Sequence, residues 1–268
     1  MPVISVDSLD DPRLAPYREL KRSNLTRWSG LFVAEGRKVV ERLLTSRCHA
    51  ESVLVSQRQA NFLDEARRLR ADVDVLLVPQ ELGEQLVGYN FHAGILGCGV
   101  RPENADLLTV GQTSESRLIV ACEQVNDPDN LGTIARLARG FGASGLLLSP
   151  GCCDPYSRRV LRVSMGNLLD VPVCEATDFV AELRRLQAAG YRLLATVLDD
   201  SAVPLIEVDR CAKTVLLVGN EAYGLSEEVQ ALCDVKVTIP MASGTDSLNV
   251  ALATGICLYE LTLRTARC

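Results

Sequence analysis

The chain has 268 residues, of which 47% are hydrophobic and 23% charged, with a formal net charge of -6. That composition fits a globular protein with one large core or two modest ones and excludes a disordered or fibrous chain. No apolar run approaches the roughly 18 residues of a membrane span, and Met-Pro-Val-Ile-Ser-Val-Asp-Ser at the N-terminus lacks a basic start and an apolar leader, so a soluble, cytoplasmic protein with no membrane partner is expected.

The N-terminal stretch is locally basic. Between Arg13 and Arg47 nine basic residues stand against the three acids Glu19, Glu35 and Glu41, so an acidic protein can still hold a polyanion at one end. Val39, Val40, Leu43 and Leu44 predict a helix over 38–44. Residues 52–56 and 73–78 read as buried strands, 61–70 as a helix between them, and 94–100 as a last strand of a small α/β unit. Residues 101–117 are polar and irregular, as in a linker.

Beyond the linker the pattern changes. Short apolar strands are predicted at 118–122, 145–149, 171–174, 191–197, 215–218 and 235–239, with helices at 131–141, 179–189 and 248–263. Fully apolar strands alternating with helices predict a parallel sheet with helices on both faces. Ligands are then expected beyond the C-terminal ends of the strands.

Gly140, Gly142 and Gly145 match the G-x-G-x-x-G dinucleotide fingerprint in the wrong setting. That motif follows a strand and opens a helix, whereas here it ends a helix and leads into a strand, so a nicotinamide oxidoreductase is disfavoured. Ten cysteines are scattered without C-x-x-C spacing, and His49 and His92 are the only histidines. No metal site is expected, and the thiols read as buried and reduced.

Three segments concentrate polar groups near predicted strand ends. The first is Asn126-Asp-Pro-Asp-Asn-Leu-Gly-Thr-Ile-Ala-Arg136, with Asp129 or Asn130 as candidate helix cap. The second is Gly219-Asn-Glu-Ala-Tyr-Gly224, where Gly219 would let a ligand approach the backbone and Glu221 sits at the ligand end of the sheet. The third runs Ile239-Pro-Met-Ala-Ser-Gly-Thr-Asp-Ser-Leu-Asn249. A helix is predicted to start near Ser247, capped by Asp246 or Ser247, which leaves Asn249 out of place in an apolar first turn.

In order and separation these segments resemble the three signature motifs of the SpoU/TrmH family of SPOUT methyltransferases. The resemblance runs from Leu118 to the C-terminus. A weaker one over 18–36, with Phe32, Glu35 and Gly36, is to the ribosomal-protein-like substrate-binding domain of many members. It implies an RNA substrate-binding domain over 1–103, a linker over 104–116 and a catalytic domain over 117–268, tied into a C-terminal deep trefoil knot.

The resemblance further implies S-adenosyl-L-methionine as cofactor, held near Thr196, Leu198, Gly219, Ile239, Met241 and Leu248. It implies Arg136, Asn130, Glu221, Ser247 and Asn249 as the catalytic set, and a homodimer with the site at the subunit interface. The reaction it implies is methylation of a ribose 2′-hydroxyl of RNA, ribosomal RNA before transfer RNA. A non-catalytic RNA-binding protein on the same fold is the contrasting expectation, which the intact motifs oppose. Arg22, Arg27, Arg37 and Lys38 are the expected RNA contacts. Taking a proton from an arginine at neutral pH costs at least about 7 kcal/mol, so Arg136 is expected to position phosphate and hydroxyl rather than act as a base. Two departures stand out: Ala251 replaces a serine common in the family, and Ser243-Gly244 follows the methionine where many members have glycine first.

Overall fold

The computed structural model describes residues 3–18, 20, 29–110, 117–199, 201–209, 211–242 and 247–263. Two compact units emerge: Met1–Glu103 with Asp154–Asp170, and Asn104–Cys153 with Val171–Cys268.

The first unit holds a five-stranded sheet. Its strands are β1 (Val3–Ser5), β2 (Leu31–Glu35), β3 (Ala50–Ser56), β4 (Asp74–Val78) and β5 (Ile95–Val100), in the order β1-β4-β3-β5-β2. β5 runs antiparallel to β3 and β2, and the other pairs are parallel. Helix α1 (Arg37–Thr45) buries Val39, Val40, Leu43 and Leu44, the four residues whose spacing predicted it. Each such side chain contributes about 1.5–3 kcal/mol on leaving water. Helices α2 (Leu63–Leu69) and α3 (Gln80–Val87) complete the chain order here. α3 lacks a sequence signal because Gly83 interrupts it; a Cβ there would lie 2.8 Å from the Phe91 ring.

Two expectations about boundaries need correction. Residues 104–110, read as linker, pack on the second unit: Leu107 is buried in its core and Ala105 N–H donates to the Val173 carbonyl. Residues 154–170, read as part of the catalytic domain, belong to the first unit. There helix α5 (Arg158–Val163) presents Arg158 to Glu35 and Tyr89, both at 2.9 Å, and Arg42 donates to the Met165 carbonyl. Such long-range pairs leave no local pattern to read.

The second unit holds seven strands, all parallel: β6 (Arg117–Cys122), β7 (Gly145–Leu148), β8 (Val173–Glu175), β9 (Arg192–Thr196), β10 (Val203–Pro204), β11 (Lys213–Val218) and β12 (Val235–Thr238). Their order is β10-β12-β9-β11-β6-β7-β8. Ile119, Ala121, Leu147, Leu193, Ala195, Val215 and Leu217 share one core with α6 (Phe179–Ala188) and α7 (Glu227–Leu232). The alternate residues Val120, Cys122, Leu146, Leu148, Leu194, Leu216 and Val218 are also buried. Side chains alternate across a sheet, so both faces are covered, here by α4 (Pro128–Gly140) and α8 (Val250–Leu263) on the second face.

The chain starts in mid-sheet at β6, runs outward through β7 and β8, then returns so that β11 pairs with β6 on its other side. The reversal lies between β6 and β11, where Cys122 aligns with Val218. Such a switch point opens a crevice at the strands' C-terminal ends.

The glycine fingerprint proves to be a helix terminator. Gly142 takes φ 72°, its N–H donates to the Arg139 carbonyl and that of Ala143 to the Ala138 carbonyl, a pattern that closes α4 and favours glycine at the left-handed position. Nine cysteines are free among the described residues. Burial pushes the Cys233 and Cys257 thiols up to about 12 and Cys122 well above its ordinary value, which keeps them protonated. Among the described residues no helix is long and apolar enough to cross a membrane.

Candidate active site

Helix α4 begins three residues earlier than its apolar periodicity predicts. Pro128 occupies the first helical position, and the carboxylate of Asp127 accepts from Asp129 N–H at 2.8 Å. Proline's fixed φ suits that position. Asp127 is therefore the cap, not Asp129 or Asn130. Asn130 is released from capping and sits in the first turn, only 8% exposed.

Its amide joins all three segments. Asn130 Nδ2 donates to Glu221 Oε1 at 2.6 Å, and Asn249 Nδ2 donates to Asn130 Oδ1 at 2.8 Å. Asn249 Oδ1 accepts from Ala251 N–H at 3.0 Å and Leu252 N–H at 3.2 Å. Chemistry fixes the direction throughout. An ionised carboxylate only accepts, so Asn130 must turn its NH2 to Glu221 and its oxygen to Asn249. Asn249 must then aim its own oxygen at the helix. The result is a polarised chain of amides from the N-terminus of α8 to the Glu221 carboxylate, in which each bond strengthens the next.

Asn249 thus resolves the sequence anomaly. It stands outside α8 as its cap, so the poor propensity of asparagine inside a helix costs nothing, and the helix starts later than Ser247. Ala251 needs only its backbone N–H in this arrangement.

Glu221 rides on a turn that the sequence only partly revealed. A Cβ on Gly219 would lie 2.2 Å from the Gly224 carbonyl carbon and 2.4 Å from Leu225 N. The close approach there is by the chain's own backbone rather than by a ligand. Asn220 and Gly224 exchange backbone hydrogen bonds of 3.1 and 2.9 Å, and Asn220 Nδ2 donates to the Gln124 carbonyl at 2.9 Å. Glu123, buried at the end of β6, accepts from Ser226 N–H at 2.8 Å and Ser226 Oγ at 2.7 Å. Sequence reasoning missed Glu123 and Asn220, because a polar residue after a strand reads as any loop residue.

The remaining expected positions divide into three groups. Thr196 ends β9 and Leu198 lies just beyond it, Gly219 follows β11, and Ile239 and Met241 follow β12; the three strands are consecutive in the sheet. Thr196 Oγ1 donates to the Leu217 carbonyl at 2.9 Å, Leu198 is exposed, and Ile239, Met241 and Leu248 are half-buried. Ser247 is exposed before α8. Arg136 does not join the amide chain. It lies eight residues into α4, about 12 Å from its start, is exposed, and makes no hydrogen bond or ion pair among the described residues. Arg37 pairs with Glu65 and Glu41, and Lys38 with Glu41 at 3.0 Å, so both cations are neutralised locally. Arg22, Arg27, Ser243, Gly244 and Asp246 lie outside the described residues.

Similarity to known proteins follows the same geometry. The SpoU rRNA Methylase family matches residues 117–259. An uncharacterised tRNA/rRNA methyltransferase of Mycobacterium bovis is 36% identical, over 94% of this chain and 89% of its own. The 23S rRNA (guanosine-2′-O-)-methyltransferase RlmB of Acinetobacter baylyi is 31% identical over 66% of this chain and 73% of its own. The AdoMet-bound rRNA methyltransferase from Sinorhizobium meliloti superposes with a TM-score of 0.83 at 29% identity and 97% coverage of both chains. Because the matched segment takes in the whole path from β6 into α8, and so every member of the Asn249–Asn130–Glu221 chain, this protein is a member of the SpoU rRNA methylase family.

Proposed function

We propose that the protein transfers a methyl group from S-adenosyl-L-methionine to a ribose 2′-hydroxyl of ribosomal RNA. The observation that carries this reading is the polarised amide chain at the switch point, which ties the three segments to one another. The adenosine would lie on the loops after β9, β11 and β12, which offer exposed Leu198 and half-buried Ile239, Met241 and Leu248; an apolar ring suits such groups. The cofactor supplies an activated methyl group. The protein's own part is to hold the acceptor ribose through Ser247, Asn249 and Asn130, with Glu221 keeping the amides oriented, and to meet RNA phosphate with Arg136. The RlmB relative is a ribose methyltransferase of ribosomal RNA, which favours ribosomal over transfer RNA here.

Two structural expectations belong to the same reading. The trefoil knot is proposed on strand order: β11 inserts between β6 and β9, and the chain then passes β9 to reach β12. A homodimer is proposed on α8. Leu252, Ile256 and Tyr259 are 60%, 42% and 55% exposed and lie at i, i+4 and i+7, an apolar stripe of the kind that marks an interface. α4 packs on the same helix, with Phe141 edge-on to Tyr259 at 6.3 Å between ring centroids. Sedimentation velocity should show a dimer, and Leu252→Glu with Ile256→Glu should give a folded monomer; a monomeric parent protein would remove the dimer from the proposal. The N-terminal unit, locally basic between Arg13 and Arg47, is assigned to RNA binding and the site of action to the cytoplasm, where the substrate is made.

The reaction itself is tested with methyl-labelled cofactor and deproteinised bacterial ribosomal RNA, with transfer RNA as the comparison. A 2′-O-methyl blocks the neighbouring hydroxyl that drives alkaline cleavage, so labelled RNA should yield labelled alkali-resistant dinucleotides. Label released as a modified base would overturn ribose methylation, and label confined to transfer RNA would overturn the substrate.

A further inference from the structure

A site that methylates a ribose must also hold the nucleotide that carries it, and nothing assigned above touches a base. Tyr223 stands two residues beyond Glu221, at the C-terminal edge of the sheet, and is 89% exposed. A tyrosine ring carries a large apolar face that is ordinarily packed. Here the face is open while the backbone beneath it is fixed. Asn220 Oδ1 accepts from Ala222 N–H at 2.8 Å and from Tyr223 N–H at 3.3 Å. Asn220 and Gly224 close the turn by paired backbone bonds, and Gly219 wedges against Gly224 and Leu225 with no room for a Cβ. The turn is built to hold an aromatic ring outward, beside the amide chain.

We propose that Tyr223 is the stacking platform for a nucleobase of the substrate RNA, at or next to the nucleotide whose ribose is methylated. The inference rests on the RNA-methyltransferase reading above. Bases of unpaired nucleotides stack on exposed aromatic rings, each worth about 1–3 kcal/mol, and a turn whose backbone is already fixed leaves only the side-chain torsions to be ordered on binding.

The test is equilibrium filter binding of deproteinised bacterial ribosomal RNA without cofactor, so that it reads Tyr223 whether or not a methyl moves. Tyr223→Ala should raise the RNA Kd roughly 5- to 150-fold, with S-adenosylmethionine affinity by calorimetry and Tm unchanged. Tyr223→Phe, which keeps the ring face and loses only the hydroxyl, should bind as the parent does. An unchanged Kd in Tyr223→Ala overturns the proposal. So does a Tyr223→Phe variant as weak as Tyr223→Ala, which would assign the effect to the hydroxyl, or a Tyr223→Ala variant that becomes monomeric by sedimentation, which would place the ring against a second copy. Failure of the parent protein to methylate any RNA would instead overturn the proposed function and leave the binding comparison intact.

Discussion

Asn130→Asp should lose about 100- to 1000-fold in methyl transfer, the range seen when one pre-organised donor is removed from a polar site. The change swaps one NH2 for an oxygen and leaves the shape intact. Asn130 now donates to Glu221 at 2.6 Å and accepts from Asn249 at 2.8 Å; aspartate can still accept but has nothing to donate. Two carboxylates would then meet at about 3 Å, where an effective dielectric of about 20 gives a repulsion of roughly 5 kcal/mol. The turn carrying Glu221 must move, or the pair must share a proton. Sharing gives the sign of the pH dependence. The folded variant binds a proton that the unfolded chain does not hold at the same pH, so its stability deficit against the parent is largest at high pH. The deficit shrinks as pH falls from about 8 toward about 5. Asn130→Ala, which adds no charge, should show a deficit of about 1–3 kcal/mol that is flat across that window. Thermal unfolding of both variants at the two pH values reads the difference. An Asn130→Asp protein of parental activity with a pH-independent deficit would show that the amide chain orients nothing.

How far the sequence revealed this arrangement depended on the range of the forces involved. Apolar strands such as 118–122 and 215–218 are legible because burial on both faces demands unbroken runs, and α1 is legible because four apolar residues share one helical face. The site was legible as three polar segments but not as a connected one. Asn249 was marked as anomalous, yet whether it stood inside the helix or at its cap turned on where α8 begins, which neighbouring Asp246 and Ser247 obscured. Gly219 was singled out for the right property and the wrong partner, since only the folded turn brings Gly224 beneath it. Arg158 reaches Glu35 across 123 residues, and that pairing, which draws 154–170 into the first unit, has no local trace. Buried Glu123 is similarly silent: its carboxylate matters because Ser226, 103 residues later, opens α7 against it.

Arg136→Lys separates two roles that an arginine at a methyl-transfer site could play. As a general base it would have to lose a proton at a cost of at least about 7 kcal/mol at neutral pH, and a lysine, losing its proton more easily, should then serve better. As a positioner it uses its planar fork, which lysine lacks. The proposed role is positioning. Arg136 is exposed, about 12 Å along α4 from the helix start, and lies outside the chain linking Asn130, Glu221 and Asn249. Six residues separate it from Asn130, which at about 100° per residue turns it roughly 120° away around the helix. Among the described residues it makes no hydrogen bond or ion pair, and under the proposed function it is open to a phosphate. The lysine variant should lose roughly 10- to 150-fold in kcat/KM, equivalent to one charge-assisted hydrogen bond of about 1.5–3 kcal/mol. Calorimetric affinity for S-adenosylmethionine and Tm should match the parent, since no described residue bonds the guanidinium. A lysine variant of full activity, or one whose rate rises at high pH beyond the parent's, would return Arg136 to the role of base.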